Sequence, residues 1–391
     1  MTVTDDPVRS VPAHVYQERI AKVRAQCQER GLAGILLFDQ ASLYYLFGYD
    51  QLGYWVFQTV FLPADPALPP GAVCRAPDEH MIRATGLISD IRVWFDESPQ
   101  TPGQLVTELL RDRGVKPGDT AGIELLSHAL LPAYYQDLRD AAEGYLTLAD
   151  TSHLVTDLRV VKDSYEVAWF REATVQLAAA LRAARETVAP GVPETEVHRA
   201  VVEQLYRLGG DPPAIPPPIA SGPRTLTQTH GAATGRRMRA GETVVIEVGA
   251  AAARYHAVGA VSYSLGRPQP EVAALYRAAA ETLEEGFSAF VPGQPIADVS
   301  RRVQALLAER GFSRAGRHVG YGTGIGFPPT WLENLRIKAT EPRTLVPGMT
   351  FFYFIGLPAA DGSSIYLGEP VLITETGYER PATPAYADWV L

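Results

Sequence analysis

Three residues stand out as candidates for proton-transfer chemistry. His230 lies in THGAATG, inside a Pro/Gly-rich stretch from Pro212 to Gly235, and is expected in a loop. An imidazole with its ordinary pKa of about 6.5 can serve as general base or acid at neutral pH. It could activate water or carry a proton to a leaving or closing nitrogen. Glu247 sits in TVVIEVGA. In a strand, Val244, Ile246 and Val248 share one face, and Val245, Glu247 and Gly249 share the other. A carboxylate set among valines must be partnered or take a raised pKa. It is either a rim or buried structural group, or an acid/base and a clamp for a cationic amidine or ammonium. Glu333, in PPTWLEN, is either a plain loop acid or a second acid candidate.

The composition limits what these groups can serve. The chain has 391 residues, 46% hydrophobic and 20% charged, which suits about two globular domains with ample core. Lys and Arg number 35 against 44 Asp and Glu, for a net charge of −9. That argues against a nucleic-acid partner, which needs a basic surface. Two cysteines, Cys27 and Cys74, exclude a disulfide scaffold and a Cys-rich metal site, while a single bridge between them stays open. The first residues are acidic and lack an apolar leader, and no run approaches about 18 apolar residues. A soluble, cytoplasmic protein with no membrane partner is expected.

The elements that must position the three groups are legible as periodicity. Residues 14–30 carry Val15, Ile20, Val23 and Cys27 at helical spacing, and GILLFDQ (34–40) reads as a buried strand. Helix–strand alternation continues to about residue 150, so residues 1–155 are read as one α/β domain. A long helix starts near Ser164, read as its cap, and stops at Pro190-Gly191. Another runs from Pro270 to Pro292-Gly293. The stretches 189–209 and 291–311 align without gaps at an offset of 102, with eight identical pairs over 21 positions. Among them are Pro190/Pro292, Gly191/Gly293, Pro193/Pro295 and Gly209/Gly311. Residues 156–391 are therefore read as a duplicated α+β domain, with a ligand cleft between like halves.

Helix, helix and sheet, duplicated after a smaller α/β domain, resembles the creatinase/prolidase/aminopeptidase P family with its pita-bread fold. The segments ASGPRTLTQTHGA (220–232), GETVVIEVGA (241–250), RYHAVGAVSYSLG (254–266), GYGTGIGFPP (320–329), LVPGMTFFYFIGL (345–357) and EPVLITETGYE (369–379) fall in family order. The resemblance implies a creatinase-like N-terminal domain and a pita-bread catalytic domain. Peptidases of the family hold two metal ions with two Asp, one His and two Glu. Those positions fall here on Glu247, Val258, Thr323, Phe354 or its neighbours, and near Gly368 with Glu369 one position off. Val and Phe cannot replace hard oxygen ligands, and a dinuclear site needs bridging carboxylates. A metal-free member with no cofactor is expected, similar to creatinase and ectoine hydrolase.

In that branch His230 matches a catalytic His, twelve residues before Glu242. The resemblance implies an enzyme that hydrolyses a non-peptide C–N bond of cyclic amidine, guanidino or lactam type. His230, Glu247 and Glu333 are its expected catalytic groups. Tyr255, His256, Thr323 and Phe352 are expected at the substrate. Tyr54 and Trp55 are either a first-domain aromatic cluster or the cap of a partner's site in a homodimer. The branch carries an Arg-Thr pair where Val261 and Ser262 stand, so a substrate carboxylate has lost an Arg partner. That loss keeps a second class open: a cofactor-independent cyclase, isomerase or lyase using the same His and Glu. A non-catalytic binding module is a third.

Overall fold

The computed structural model describes residues 10–312, 318–382 and 388–391. The chain divides into two compact units, Met1–Arg159 and Val160–Leu391. In the first, helices α1 (Ala13–Glu29), α2 (Gln40–Phe47), α3 (Glu79–Ala84), α4 (Pro102–Asp112), α5 (Pro132–Ala142) and α6 (Ser152–Arg159) accompany a six-stranded sheet. Its strands are β1 (Gly34–Leu37), β2 (Thr59–Pro63), β3 (Gly71–Arg75), β4 (Asp90–Trp94), β5 (Thr120–Ile123) and β6 (Thr147–Asp150), in the order β4-β3-β2-β1-β5-β6. Leu36, Phe61 and Val73 of the sheet pack on Val106, Leu109 and Leu138 of α4 and α5. Cys27 and Cys74 are both buried free thiols, so the open question of a bridge is answered.

The second unit opens with α7 (Ser164–Thr187) and α8 (Glu194–Arg207). The cap of α7 is Asp163 rather than Ser164. Its carboxylate accepts from Tyr165 N and Glu166 N, and Glu166 returns a bond to Asp163 N at 2.8 Å. This reciprocal box satisfies three backbone donors at once, which a lone Ser hydroxyl could not. Then follow β7 (Ile219–Ser221), α9 (Arg224–Thr227), β8 (Thr243–Ala252) and β9 (Tyr255–Ser264). The second half has α10 (Pro270–Gly286), α11 (Ile296–Glu309), β10 (Gly320–Phe327), β11 (Thr330–Arg336), β12 (Thr350–Pro358), β13 (Ser364–Ile373) and the short β14 (Tyr378–Glu379). The strands form one sheet ordered β11-β10-β12-β13-β9-β8-β7, with β14 paired to β13.

The duplication is written in the backbone. Helices α8 and α11 start and end 102 residues apart. Gly191 and Gly293 take the same left-handed turn, φ 87° and 82°, which suits a residue without Cβ. Gly191 N donates to Met238 O and Gly293 N to Leu345 O. Their partners lie 107 residues apart, so five residues are gained between the helix pair and the next turn of the second copy.

Strand parity decides what faces the helices. Val244, Ile246 and Val248 of β8 join Phe170, Leu177 and Leu181 of α7 and Val201 and Leu205 of α8 in one core. Phe351, Tyr353, Leu367 and Val371 join Leu283 of α10 and Val303 and Leu307 of α11 in its counterpart. The opposite parity puts Val245, Val258, Ala260, Phe352, Phe354 and Tyr366 in a separate cluster on the other face of the sheet. Glu247 has the parity of Val245 and belongs to that face. Among the described residues no helix is long and apolar enough to cross a membrane.

Candidate active site

The site grows from that second face. Glu247 is paired with Ala260 in the middle of the β8–β9 ladder and is 4% exposed. Burial pushes its carboxyl up to about 7, with a hydrogen bond from Tyr321 pulling the other way. The Tyr321 hydroxyl lies 3.3 Å from Glu247 Oε1 and accepts from Trp331 Nε1 at 3.0 Å. Glu247 Oε2 is buried and has no hydrogen-bond partner among the described residues. Burial, then the charge of Glu247, drives the Tyr321 phenol well above its ordinary range, so it stays protonated. A Trp–Tyr–Glu chain therefore runs through the sheet face.

Tyr321 is also a wall of a pocket of about 740 Å³. Phe354, Tyr366, Leu357 and Ser364 line it from β12 and β13, and residues 226–231 line it from the segment between β7 and β8. His230 is one of these, exposed and facing the pocket. A second imidazole, His318, lines the same pocket, edge-on to Phe354 with ring centroids 5.6 Å apart. Sequence reasoning passed over His318, for which the only signal was its place just before the Gly-rich strand. It also missed Tyr321. It stands between Gly320 and Gly322, two residues before Thr323 in the Gly-rich strand.

The remaining expected site residues separate. Phe352 and Thr323 are wholly buried. Phe352 stacks on Phe354, 5.2 Å between centroids, beneath the pocket. Thr323 is two residues beyond the tyrosine that reaches Glu247. Glu333 is buried on β11. It packs there against Gly324, where a Cβ would collide with its carboxylate.

Two expectations are corrected. Tyr255 is not in the pocket wall: its parity turns it to the helix side, where its hydroxyl donates to Glu166 Oε1 at 2.7 Å and its ring packs on Trp169. His256 is wholly buried, with Nδ1 2.8 Å from Arg254 O and Nε2 accepting from Ala214 N at 3.0 Å. Both nitrogens are committed to backbone, leaving none for a substrate. Likewise Val261 packs into the helix-side core, so its identity does not shape the pocket. Ser262 does share the Glu247 face and exchanges two hydrogen bonds with the backbone of Tyr366. In the first unit, Tyr54 is buried and Trp55 is 62% exposed, edge-on to each other at 6.2 Å.

Burial pushes the His256 imidazole down to about 4. Its folded pKa lies below the unfolded value, so the unfolded chain takes up the proton first on acidification. Stability contributed at neutral pH is then lost as pH falls from about 6.5 toward 4. His256→Leu would leave Ala214 N–H buried and unpaired and remove one of the two hydrogen bonds to Arg254 C=O, and is expected to destabilise by about 2–4 kcal/mol in urea titrations. It should also flatten that acid limb. An unchanged midpoint would refute the structural role.

The residues present do not fit a pair of metal ions. Of the family's ligand positions only Glu247 offers a carboxylate on this face. Val258 and Phe354 belong to the apolar cluster. A Cβ on Gly368 would run into the ring of Phe352 and the Cβ of Phe354, so the space for a carboxylate there is filled. Glu369 has the other parity and makes a bidentate pair with Arg380, 2.8 and 3.0 Å, toward the helices. Among the described residues no group of three His, Cys, Asp or Glu could hold a metal ion.

The fold aligns with recombinant prolidase from Thermococcus sibiricus at a TM-score of 0.86 and 21% identity, over 97% of this chain and 99% of that one. In sequence the chain is 29% identical to ectoine hydrolase of Halomonas elongata over 387 residues, 94% of this chain and 95% of the relative. It is 27% identical to the probable dipeptidase PepE of Mycobacterium bovis over 373 residues, again 94% and 95%. The creatinase/prolidase N-terminal domain matches residues 19–161. Metallopeptidase family M24 matches residues 168–375, more than half of the chain, which therefore belongs to that family and is an enzyme of the hydrolase type.

Proposed function

We propose that the chain is a metal-independent hydrolase of a non-peptide C–N bond in a small molecule of cyclic amidine, guanidino or lactam type. The observation that carries the reading is the pairing of two features in one unit. Imidazoles line a pocket whose wall reaches a buried Glu247, and Val258, Phe354 and Gly368 stand where the family's peptidases carry metal-binding carboxylates. The 29% identity to ectoine hydrolase supports the same substrate class.

His230 takes a proton from water. The resulting hydroxide adds to the amidine or carbonyl carbon. The C–N bond breaks, and His230 returns the proton to the departing nitrogen, so no proton is left over. The rings of Tyr321, Phe354 and Tyr366 give the pocket faces for a delocalised cation. Tyr321 holds a hydroxyl proton at the wall while Glu247, beneath it, supplies negative charge when ionised. The proposal includes a homodimer in which Tyr54 and Trp55 of a second copy cap the pocket. The exposure of Trp55 supports it.

Turnover of amidine, guanidine and lactam substrates in ¹⁸O-labelled water tests the reading. One labelled oxygen per product and activity that survives chelators are expected. Turnover without label would move the chain to the cyclase or isomerase class. Loss of activity to chelators, restored by added divalent metal, would overturn metal independence.

A further inference from the structure

Both arms of the segment that presents His230 converge on one carboxylate outside the pocket lining. Glu194, in the first turn of α8, is wholly buried. Its Oε1 accepts from Ser221 N at 2.9 Å and Ser221 Oγ at 2.7 Å. Its Oε2 accepts from Thr234 N at 3.0 Å and Thr234 Oγ1 at 2.7 Å. Ser221 ends β7, and Thr234 lies thirteen residues on, past His230. The two arms of the segment therefore close on the two oxygens of one side chain. Arg224 braces the closure, with Nε 3.4 Å from Glu194 Oε1 and Nη2 donating to Ala232 O at 2.9 Å.

The duplication shows that the helix pair does not need this charge. The position 102 residues on is Ile296, buried in the apolar core of the second half. A carboxylate kept from water at the first site, where its copy has an aliphatic side chain, costs desolvation that four short hydrogen bonds offset. What differs between the halves is the segment each must hold, and only the first carries His230.

We infer that Glu194 is a positioning residue that fixes both arms of residues 222–234 and so sets where His230 stands in the pocket. The inference rests on the reading of His230 as the proton-transfer group. Glu194→Gln keeps the shape but turns one acceptor oxygen into a donor facing an N–H and a hydroxyl. It is expected to lower kcat about ten- to a hundredfold with KM changed less than about twofold. In a His230→Ala background it should cost nothing further, because the effect passes through His230. Glu194→Asp, which keeps both oxygens, should recover part of the loss. Deuterium exchange of the 222–234 amides in the ligand-free protein should rise in Glu194→Gln with α8 unchanged. Equal losses in both backgrounds, or unchanged exchange, would overturn the inference. Should Glu194→Gln not fold, Thr234→Val removes one arm and is judged by the same two readouts. If His230→Ala alone leaves turnover intact, the catalytic reading fails, while the exchange result still decides the clamp.

Discussion

His230→Ala is expected to lower kcat/KM by about 10²- to 10⁴-fold, the range that a positioned general base or acid contributes. The expectation follows from placement. His230 is exposed to the pocket and lies on a segment held at both arms, so removing the ring removes a proton acceptor without opening the core. Thermal stability should therefore stay within about 0.5 kcal/mol of the parent, as for surface substitutions away from special features. Added imidazole should restore part of the rate by occupying the vacated space. His318→Ala, on the same pocket, is the control: if it abolishes turnover while His230→Ala does not, the roles of the two imidazoles are exchanged.

The second large effect concerns Glu247. Its folded pKa of about 7 lies above the unfolded value of 4.5. Between those values the folded chain holds a proton that the unfolded chain has released, so stability falls as pH rises from about 4.5 to 7 and stays lower above. A displacement of this size corresponds to roughly 3 kcal/mol. Glu247→Gln removes the charge that must be buried, so it is expected to be more stable than the parent at pH 8 and nearly equal at pH 4.5. Denaturant titrations at the two pH values decide it. A stability difference independent of pH would show that the carboxyl does not titrate in this range. The same variant should lose any inflection near pH 7 in kcat/KM that belongs to Glu247.

Glu247 shows how far local reading reaches. The alternation in TVVIEVGA alone put it opposite Val244, Ile246 and Val248, and the valines required a raised pKa or a partner. Both conclusions follow from the two-residue period of a strand, a property of consecutive residues. The same holds for the duplication, where matching Pro, Gly and apolar positions specify the same turns and helix faces twice. Family membership and fold were legible for that reason. The cap of α7 was misplaced by one residue because both Asp163 and Ser164 can cap, and only the reciprocal bond with Glu166 separates them.

Partners across the sheet were beyond such reading. Tyr321 meets Glu247 across 74 residues of chain, and Thr323, two positions away, does not. A register fixed by the whole sheet makes that choice. Tyr255 and His256 are adjacent and both polar, yet one turns to Glu166 and the other spends its nitrogens on the backbone of Ala214 and Arg254. Glu369 is one residue from a family ligand position, and one residue in a strand is the opposite face, where Arg380 waits. The sequence by itself determined which residues alternate, which helices repeat and which metal ligands have lost their chemistry. The tertiary structure alone decided which of the remaining polar groups share a pocket, because contacts between distant strands depend on pairing, twist and packing that no local period encodes.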